Sequence, residues 1–213
     1  MINNPKIGII NHNFANLHSV KKALDYLNCS NKIINKPDDI SHEIDAIILP
    51  GVGAFDAAIG SLQKSNFIKP IKDAVNLGTP ILGVCLGMQL LFTNSEEGKL
   101  KGLDLIKGKV TEIKKKNKDM KIPHMGWNSI TIKSNSTLFN NIKGKEYFYF
   151  VHSYKCEPED KSIITTSVSY GDEICSSIEY ENIFATQFHP EKSGEIGLEI
   201  YKNFILKASK KWI

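Results

Sequence analysis

The stretch Pro80-Ile81-Leu82-Gly83-Val84-Cys85-Leu86-Gly87-Met88-Gln89-Leu90-Leu91-Phe92 decides the fold. Its first half, up to Val84, is a short continuous apolar run of the kind buried in a parallel sheet. The second half, Met88 to Phe92, reads as helix. Between them Cys85 is flanked by Gly83 and Gly87, the G-x-C-x-G spacing of a nucleophile elbow. A sharp strand-to-helix turn leaves no room for side chains two residues either side of its central residue, and the helix N-terminus that follows favours a thiolate. Cys85 is therefore the first candidate nucleophile. An inert cysteine between a core strand and a core helix is the alternative, and this segment alone does not separate the two.

Near the other end of the chain, Thr186-Gln187-Phe188-His189-Pro190-Glu191 closes an apolar run that begins at Ile183. In extended backbone, residues i and i+2 project to one side, so His189 and Glu191 are expected on one face of a strand that Pro190 ends. The carboxylate then orients the imidazole, and the imidazole reaches Cys85. This is the nucleophile, base and orienter arrangement, set against the plainer alternative of a surface His and Glu at a strand exit.

Around these two anchors the pattern is α/β at first and strand-rich later. Residues 7–10, 46–49 and 81–84 read as buried parallel strands, and Val20, Ala23, Leu24 and Leu27 recur at helical spacing between the first two. Alternating or β-branched runs follow at 110–113, 130–132, 147–151, 163–168 and 174–178. A last helix is expected over 195–207, with Ile196, Ile200 and Phe204 on one face. No repeat or linker divides the chain, so residues 1–213 are read as one domain.

Composition is ordinary for a soluble globular protein. The chain has 213 residues, 41% hydrophobic and 23% charged, with a net charge of +4. All 27 basic residues are lysine, so bidentate guanidinium clamps on phosphate or carboxylate are not available to it. The run Lys114-Lys115-Lys116-Asn117-Lys118 lacks interleaved aromatics and is read as a solvated hairpin loop rather than a nucleic-acid site. Met1-Ile2-Asn3-Asn4-Pro5 leads into Ile7-Gly8-Ile9-Ile10 without the basic and apolar regions of a secretory signal, and no apolar run is long enough to span a membrane. A cytoplasmic location is expected. Cys29, Cys85, Cys156 and Cys175 are widely spaced, which suggests neither a disulfide framework nor a metal site, and no cofactor is expected.

Five segments in order carry a resemblance over nearly the whole chain: Pro50-Gly51-Val52-Gly53-Ala54-Phe55, Gly83 through Phe92, Pro123-His124-Met125-Gly126-Trp127-Asn128, Tyr149-Phe150-Val151-His152-Ser153-Tyr154 and Phe188-His189-Pro190-Glu191-Lys192-Ser193. They resemble the class I glutamine amidotransferases, and more narrowly the glutaminase subunits of imidazole glycerol phosphate synthases in histidine biosynthesis. The Pro123–Asn128 segment separates this branch from amidotransferases of other pathways. The resemblance implies a central, mostly parallel mixed sheet flanked by helices, with antiparallel strands in the later half. It implies Cys85, His189 and Glu191 as a triad hydrolysing L-glutamine to glutamate and ammonia. The Leu86 N–H and the Gly51-Val52 turn, after a peptide reorientation, are implied as the oxyanion hole. Two glycines in that turn let backbone approach a substrate oxygen, although glycine turns more often serve geometry alone. Gly53, Gln89, Glu97, Ser153 and Tyr154 match positions that hold the glutamine. Spacing supports Gln89, one helical turn beyond Cys85, but does not say whether Glu96 or Glu97 points inward.

The resemblance further implies a partner, a cyclase subunit with a (β/α)8 barrel that forms a heterodimer with this chain. That subunit combines ammonia with a phosphoribulosyl-formimino nucleotide. Trp127 and Lys192 match positions at the interface, against the alternatives of core packing for Trp127 and a simple surface charge for Lys192. One segment departs from the family pattern. Where a glycine-rich turn ending Gly-Asn-Leu is usual, this chain reads Asn11-His12-Asn13-Phe14-Ala15-Asn16-Leu17-His18-Ser19. The departure bears on partner contacts rather than on the triad. A paralogous glutaminase that supplies ammonia for amidino-sugars of cell-surface polysaccharide stays open as the alternative function.

Overall fold

The computed structural model describes residues 4–143 and 145–209. The first three residues of the N-terminal reading, and both ends of the expected 1–213 domain, lie outside the described residues. Alternating βα connections open the chain: β1 (Ile7–Ile10), α1 (Leu17–Tyr26), β2 (Asn31–Ile34), β3 (Ala46–Gly51), α2 (Phe55–Lys64), α3 (Ile68–Asn76), β4 (Ile81–Cys85) and α4 (Leu86–Leu90). Strands then dominate: β5 (Phe92–Ser95), β6 (Ile106–Glu112), β7 (His124–Ile132), β8 (Tyr147–His152), β9 (Tyr154–Pro158), β10 (Ile164–Tyr170), β11 (Asp172–Tyr180) and β12 (Ile183–Thr186). Helix α5 (Gly194–Ser209) follows.

Nine strands form one sheet in the order β2-β1-β3-β4-β12-β11-β10-β7-β8. The β2 to β12 part is parallel, and the remainder antiparallel. The antiparallel strands of the later half thus extend the same sheet, and only β5-β6-β9 stand apart as a smaller one.

Period-two alternation explains how the parallel part is buried on both faces. Ile7, Ile9, Ile48, Leu82, Val84 and Phe184 point to the side covered by Val20, Ala23 and Leu24 of α1 and Ile200, Tyr201 and Phe204 of α5. Ile10, Ile47, Leu49, Ile81 and Ala185 point to the side covered by Phe55, Ala58, Ile59 and Leu62 of α2, and by Ile71 and Val75 of α3. Each fully buried Leu, Ile or Phe contributes roughly 1.5–3 kcal/mol, so two such layers anchor the strand ends that carry the site.

Several elements differ from expectation. The helix after Cys85 stops at Leu90 instead of running to Phe92. The Leu103 N–H takes the Leu90 carbonyl, the Leu105 and Ile106 N–H groups take that of Leu91, and the chain leaves as β5. The lysine run at 114–118 is exposed as expected but is not a hairpin loop. Both edges of β6 are already taken by β5 and β9, and β7 pairs with β10 and β8. Ile163 ends a short 3-10 turn, and the strand begins at Ile164.

Candidate active site

β3, β4 and β12 end side by side, the usual place for a site in an open α/β sheet. Cys85 is the last residue of β4 and caps α4 with φ +55° and ψ −111°, a conformation that a side chain rarely adopts. The surrounding glycines are what allow it. A Cβ on Gly87 would lie 1.8 Å from the Leu49 carbonyl oxygen, and one on Gly83 would lie 2.8 Å from that of Gly87. Gly51 stands opposite Cys85 in the β3–β4 register, and a Cβ there would lie 2.8 Å from the Gly87 nitrogen. Backbone thus fills the space that a side chain at any of these three glycines would need, and Cys85 is itself buried.

His189 reaches the same place from the end of β12, but not along a strand. The strand ends at Thr186, and Pro190–Lys192 form a 3-10 turn that His189 caps. That turn, not strand alternation, brings the two side chains together: His189 Nδ1 donates to Glu191 Oε1 at 2.7 Å, with both side chains buried. Glu191 Oε2 also accepts from the Tyr201 hydroxyl at 3.3 Å, so α5 holds the carboxylate from behind. The turn is tied to β8, since the His189 N–H donates to the Tyr149 carbonyl and the Tyr149 N–H donates to the Ser193 hydroxyl. With Nδ1 so engaged, Nε2 is the buried ring atom left without a hydrogen-bond partner. Burial pulls the His189 imidazole down, but the neighbouring Cys85 sulfur and the Glu191 carboxylate outweigh it and raise it well above its ordinary value.

Cys85, Leu86, Val52 and His189 line one cavity of about 300 Å³. Gly53, Gln89, Glu97, Ser153 and Tyr154 line it too, so the structure brings together all the residues matched to glutamine holding. The ambiguity between the two glutamates is resolved. Glu97 faces the cavity and its Oε2 accepts from the Phe55 N–H at the start of α2, whereas Glu96 turns away to accept from the Glu112 N–H. Gln89 Nε2 donates to Tyr154 O at 3.2 Å and to Gln187 Oε1 at 3.0 Å, which ties α4 to β9 and to the His189 segment. Gly51 lies behind the lining. Among the described residues, no group of three or more His, Cys, Asp or Glu side chains is arranged to hold a metal ion.

Several polar groups escaped the sequence reading. Gln187 Nε2 approaches the Cys85 sulfur at 3.9 Å, two residues before His189. His152 lines the cavity, and its Nδ1 lies 2.7 Å from the Tyr154 carbonyl oxygen. A carbonyl only accepts, so Nδ1 carries the proton and Nε2 accepts from His124 Nδ1 at 2.9 Å. His124 is stacked between Phe150 and Tyr170. Burial pushes His152 down to about 3 and His124 down to about 4, so both rings are neutral at physiological pH. Both histidines stand inside segments the resemblance quoted, but no spacing rule pairs residues 28 apart in sequence.

Beside the cavity the β7–β8 ribbon carries an exposed apolar patch. Trp127 is 56% exposed and Met125 61% exposed, which removes the core-packing alternative for Trp127. Tyr149 bridges the two residues matched to a partner: its ring lies edge-on to Trp127 at 6.2 Å, and exposed Lys192 places Nζ 5.7 Å from the ring centroid.

Comparison with known proteins agrees with this architecture. The family described as Glutamine amidotransferase class-I matches residues 9–208. A protein of Caldanaerobacter subterraneus subsp. tengcongensis named imidazole glycerol phosphate synthase subunit HisH is 48% identical over 199 residues, covering 93% of this chain and 96% of its own. The subunit of that name from Prochlorococcus marinus is 44% identical over 205 residues, covering 96% and 95%. Among solved structures, the PurLQS structure of Thermotoga maritima superposes with a TM-score of 0.72 over 94% of this chain and 97% of that one, at 20% identity, a likeness of fold. The chain belongs to the class I glutamine amidotransferase family, within the branch of the imidazole glycerol phosphate synthase HisH subunits.

Proposed function

We propose that this chain is the glutaminase subunit of an imidazole glycerol phosphate synthase, acting in the cytoplasm without nucleic acid or membrane. The observation that carries the reading is the pairing of the strained Cys85 elbow with the His189–Glu191 pair on one cavity. In this mechanism the Cys85 thiolate adds to the side-chain carbonyl of L-glutamine. His189 protonates the departing ammonia as the tetrahedral intermediate collapses to a thioester. The same imidazole then takes a proton from water, which attacks the thioester and releases glutamate. Glu191 holds the imidazole in the tautomer with its Nε2 facing the reaction. Gly53, Gln89, Glu97, Ser153 and Tyr154 hold the glutamine.

The developing oxyanion takes the Leu86 N–H as one donor and the Val52 N–H as the other. The latter now donates to the Phe14 carbonyl at 2.8 Å, so the Gly51–Val52 peptide turns before it serves. Ammonia passes to a cyclase subunit with a (β/α)8 barrel, docked on the Trp127 and Lys192 face as a heterodimer. There it joins a phosphoribulosyl-formimino nucleotide. Exposed Trp127 and Lys192, bridged by half-buried Tyr149 beside the His189 turn, support docking there.

Glutamate release from glutamine by the purified chain, alone and with the cyclase and its nucleotide ligand, tests the reading, with Cys85→Ala as the blank. Release that depends on Cys85 and rises with partner and ligand is expected. Turnover indifferent to that partner would assign the ammonia to another acceptor. No turnover under any condition would overturn the catalytic reading.

A further inference from the structure

His12 is fully buried beside the turn that carries Val52, in the segment that departs from the family pattern. Its Nε2 lies 2.6 Å from the Pro50 carbonyl oxygen, and since a carbonyl only accepts, Nε2–H is the donor. The other ring nitrogen, Nδ1, is buried without a hydrogen-bond partner. A buried polar atom left unpaired costs about 1–3 kcal/mol, so an imidazole is a poor filler where a plain hydrocarbon would pack. What distinguishes His12 from such a filler is the bond to Pro50.

The place of that bond is mechanically specific. The same short segment holds the turn twice, through His12 to the Pro50 carbonyl and through the Phe14 carbonyl to the Val52 N–H. Turning the Gly51–Val52 peptide breaks the second bond by rotation about the bonds that flank it. The Pro50–Gly51 peptide on the near side has to stay still, because Gly51 is packed against Leu86 and Gly87 with no space even for a Cβ. Burial lowers the His12 pKa, which favours the neutral ring and an uncharged bond to Pro50.

We propose that His12 is a positioning residue: it pins the Pro50 carbonyl and so fixes the pivot about which the Gly51–Val52 peptide turns to aim the Val52 N–H at the oxyanion. This rests on the glutaminase reading above. It requires that loss of the pin be felt in the transition state, where the oxyanion forms, and not in glutamine binding.

The test compares wild type with His12→Phe, His12→Leu and His12→Gln in complex with the cyclase and its nucleotide ligand. Glutamine places its amide Nε2 where the imidazole Nε2 sits and keeps the donor; phenylalanine and leucine remove it at larger and smaller volume. A displaced oxyanion donor is expected to lower kcat on the order of 10–100-fold for Phe and Leu, with KM for glutamine unchanged and His12→Gln close to wild type. Alkylation of Cys85 by iodoacetamide needs the thiol but no oxyanion donor, and is expected at wild-type rate in all four proteins. An unchanged kcat in His12→Leu, a His12→Gln as slow as His12→Phe, or alkylation slowed in parallel with turnover would each overturn the pinning role. A wild type with no Cys85-dependent turnover would overturn the glutaminase reading and this inference together, so the two failures are told apart.

Discussion

Glu191 is the residue whose effect on its neighbour is easiest to isolate. His189 is buried, and burial by itself would strip its proton; the Cys85 sulfur and the Glu191 carboxylate reverse that. Replacing Glu191 with glutamine keeps an acceptor for Nδ1–H but removes one of the negative charges. The imidazole pKa then falls, so the alkaline limb of the pH–rate profile is expected at lower pH, with kcat reduced by roughly 10²–10⁴-fold. A Glu191→Gln enzyme with the wild-type profile would show that Cys85 alone sets the proton on His189. Cys85→Ala removes the largest charge-based support of the same proton, so both substitutions lower the imidazole pKa.

At the scale of elements, the elbow is a junction of β3, β4 and α4 that tolerates no added atoms. An alanine methyl at Gly87 would overlap the Leu49 carbonyl, which is fixed in the sheet and has no rotamer by which to move away. Gly87→Ala is therefore expected to lower stability by about 1–3 kcal/mol through overpacking, and to displace Leu86 and Cys85 as α4 shifts. Urea denaturation followed by circular dichroism measures the first effect. A loss below about 0.5 kcal/mol, the scale of an ordinary surface change, would show that α4 slides freely on β3. Gly78, where an added Cβ meets nothing within 4 Å, is a control of the same residue type, although its positive φ carries strain of its own.

The whole molecule couples its pH stability to the buried His124–His152 pair. In the unfolded chain both rings take up protons near pH 6.5, but in the folded one His124 resists to about 4 and His152 to about 3. Between those values the unfolded state binds more protons. Stability is therefore fully present above about pH 6.5 and declines as pH falls towards 4 and then 3. The melting temperature is expected to fall across that window, and more gently in His152→Asn, which keeps a donor for the Tyr154 carbonyl but cannot titrate. Parallel slopes in the two proteins would mean that carboxylates alone drive the acid limb.

Local sequence determined those features that depend on backbone geometry and on short-range periodicity. The G-x-C-x-G spacing announced an elbow because a strained turn leaves no volume beside it, and the apolar runs at 7–10, 46–49 and 81–84 announced buried parallel strands because both faces are covered. Helix α5, β8 and most of β11 were legible from period alone, but of β7 only residues 130–132 were. Other features belong to tertiary structure, because they arise where distant segments compete for the same hydrogen bonds. Helix α4 ended early when the Leu103, Leu105 and Ile106 N–H groups claimed its last carbonyls, and β6 was drawn into a second sheet because β5 and β9 occupied its edges. Which of Glu96 and Glu97 faces the cavity was decided by the Phe55 N–H, 42 residues away. The His124–His152 pair and the His12 bond to Pro50 follow from packing between segments that no pattern along the chain relates.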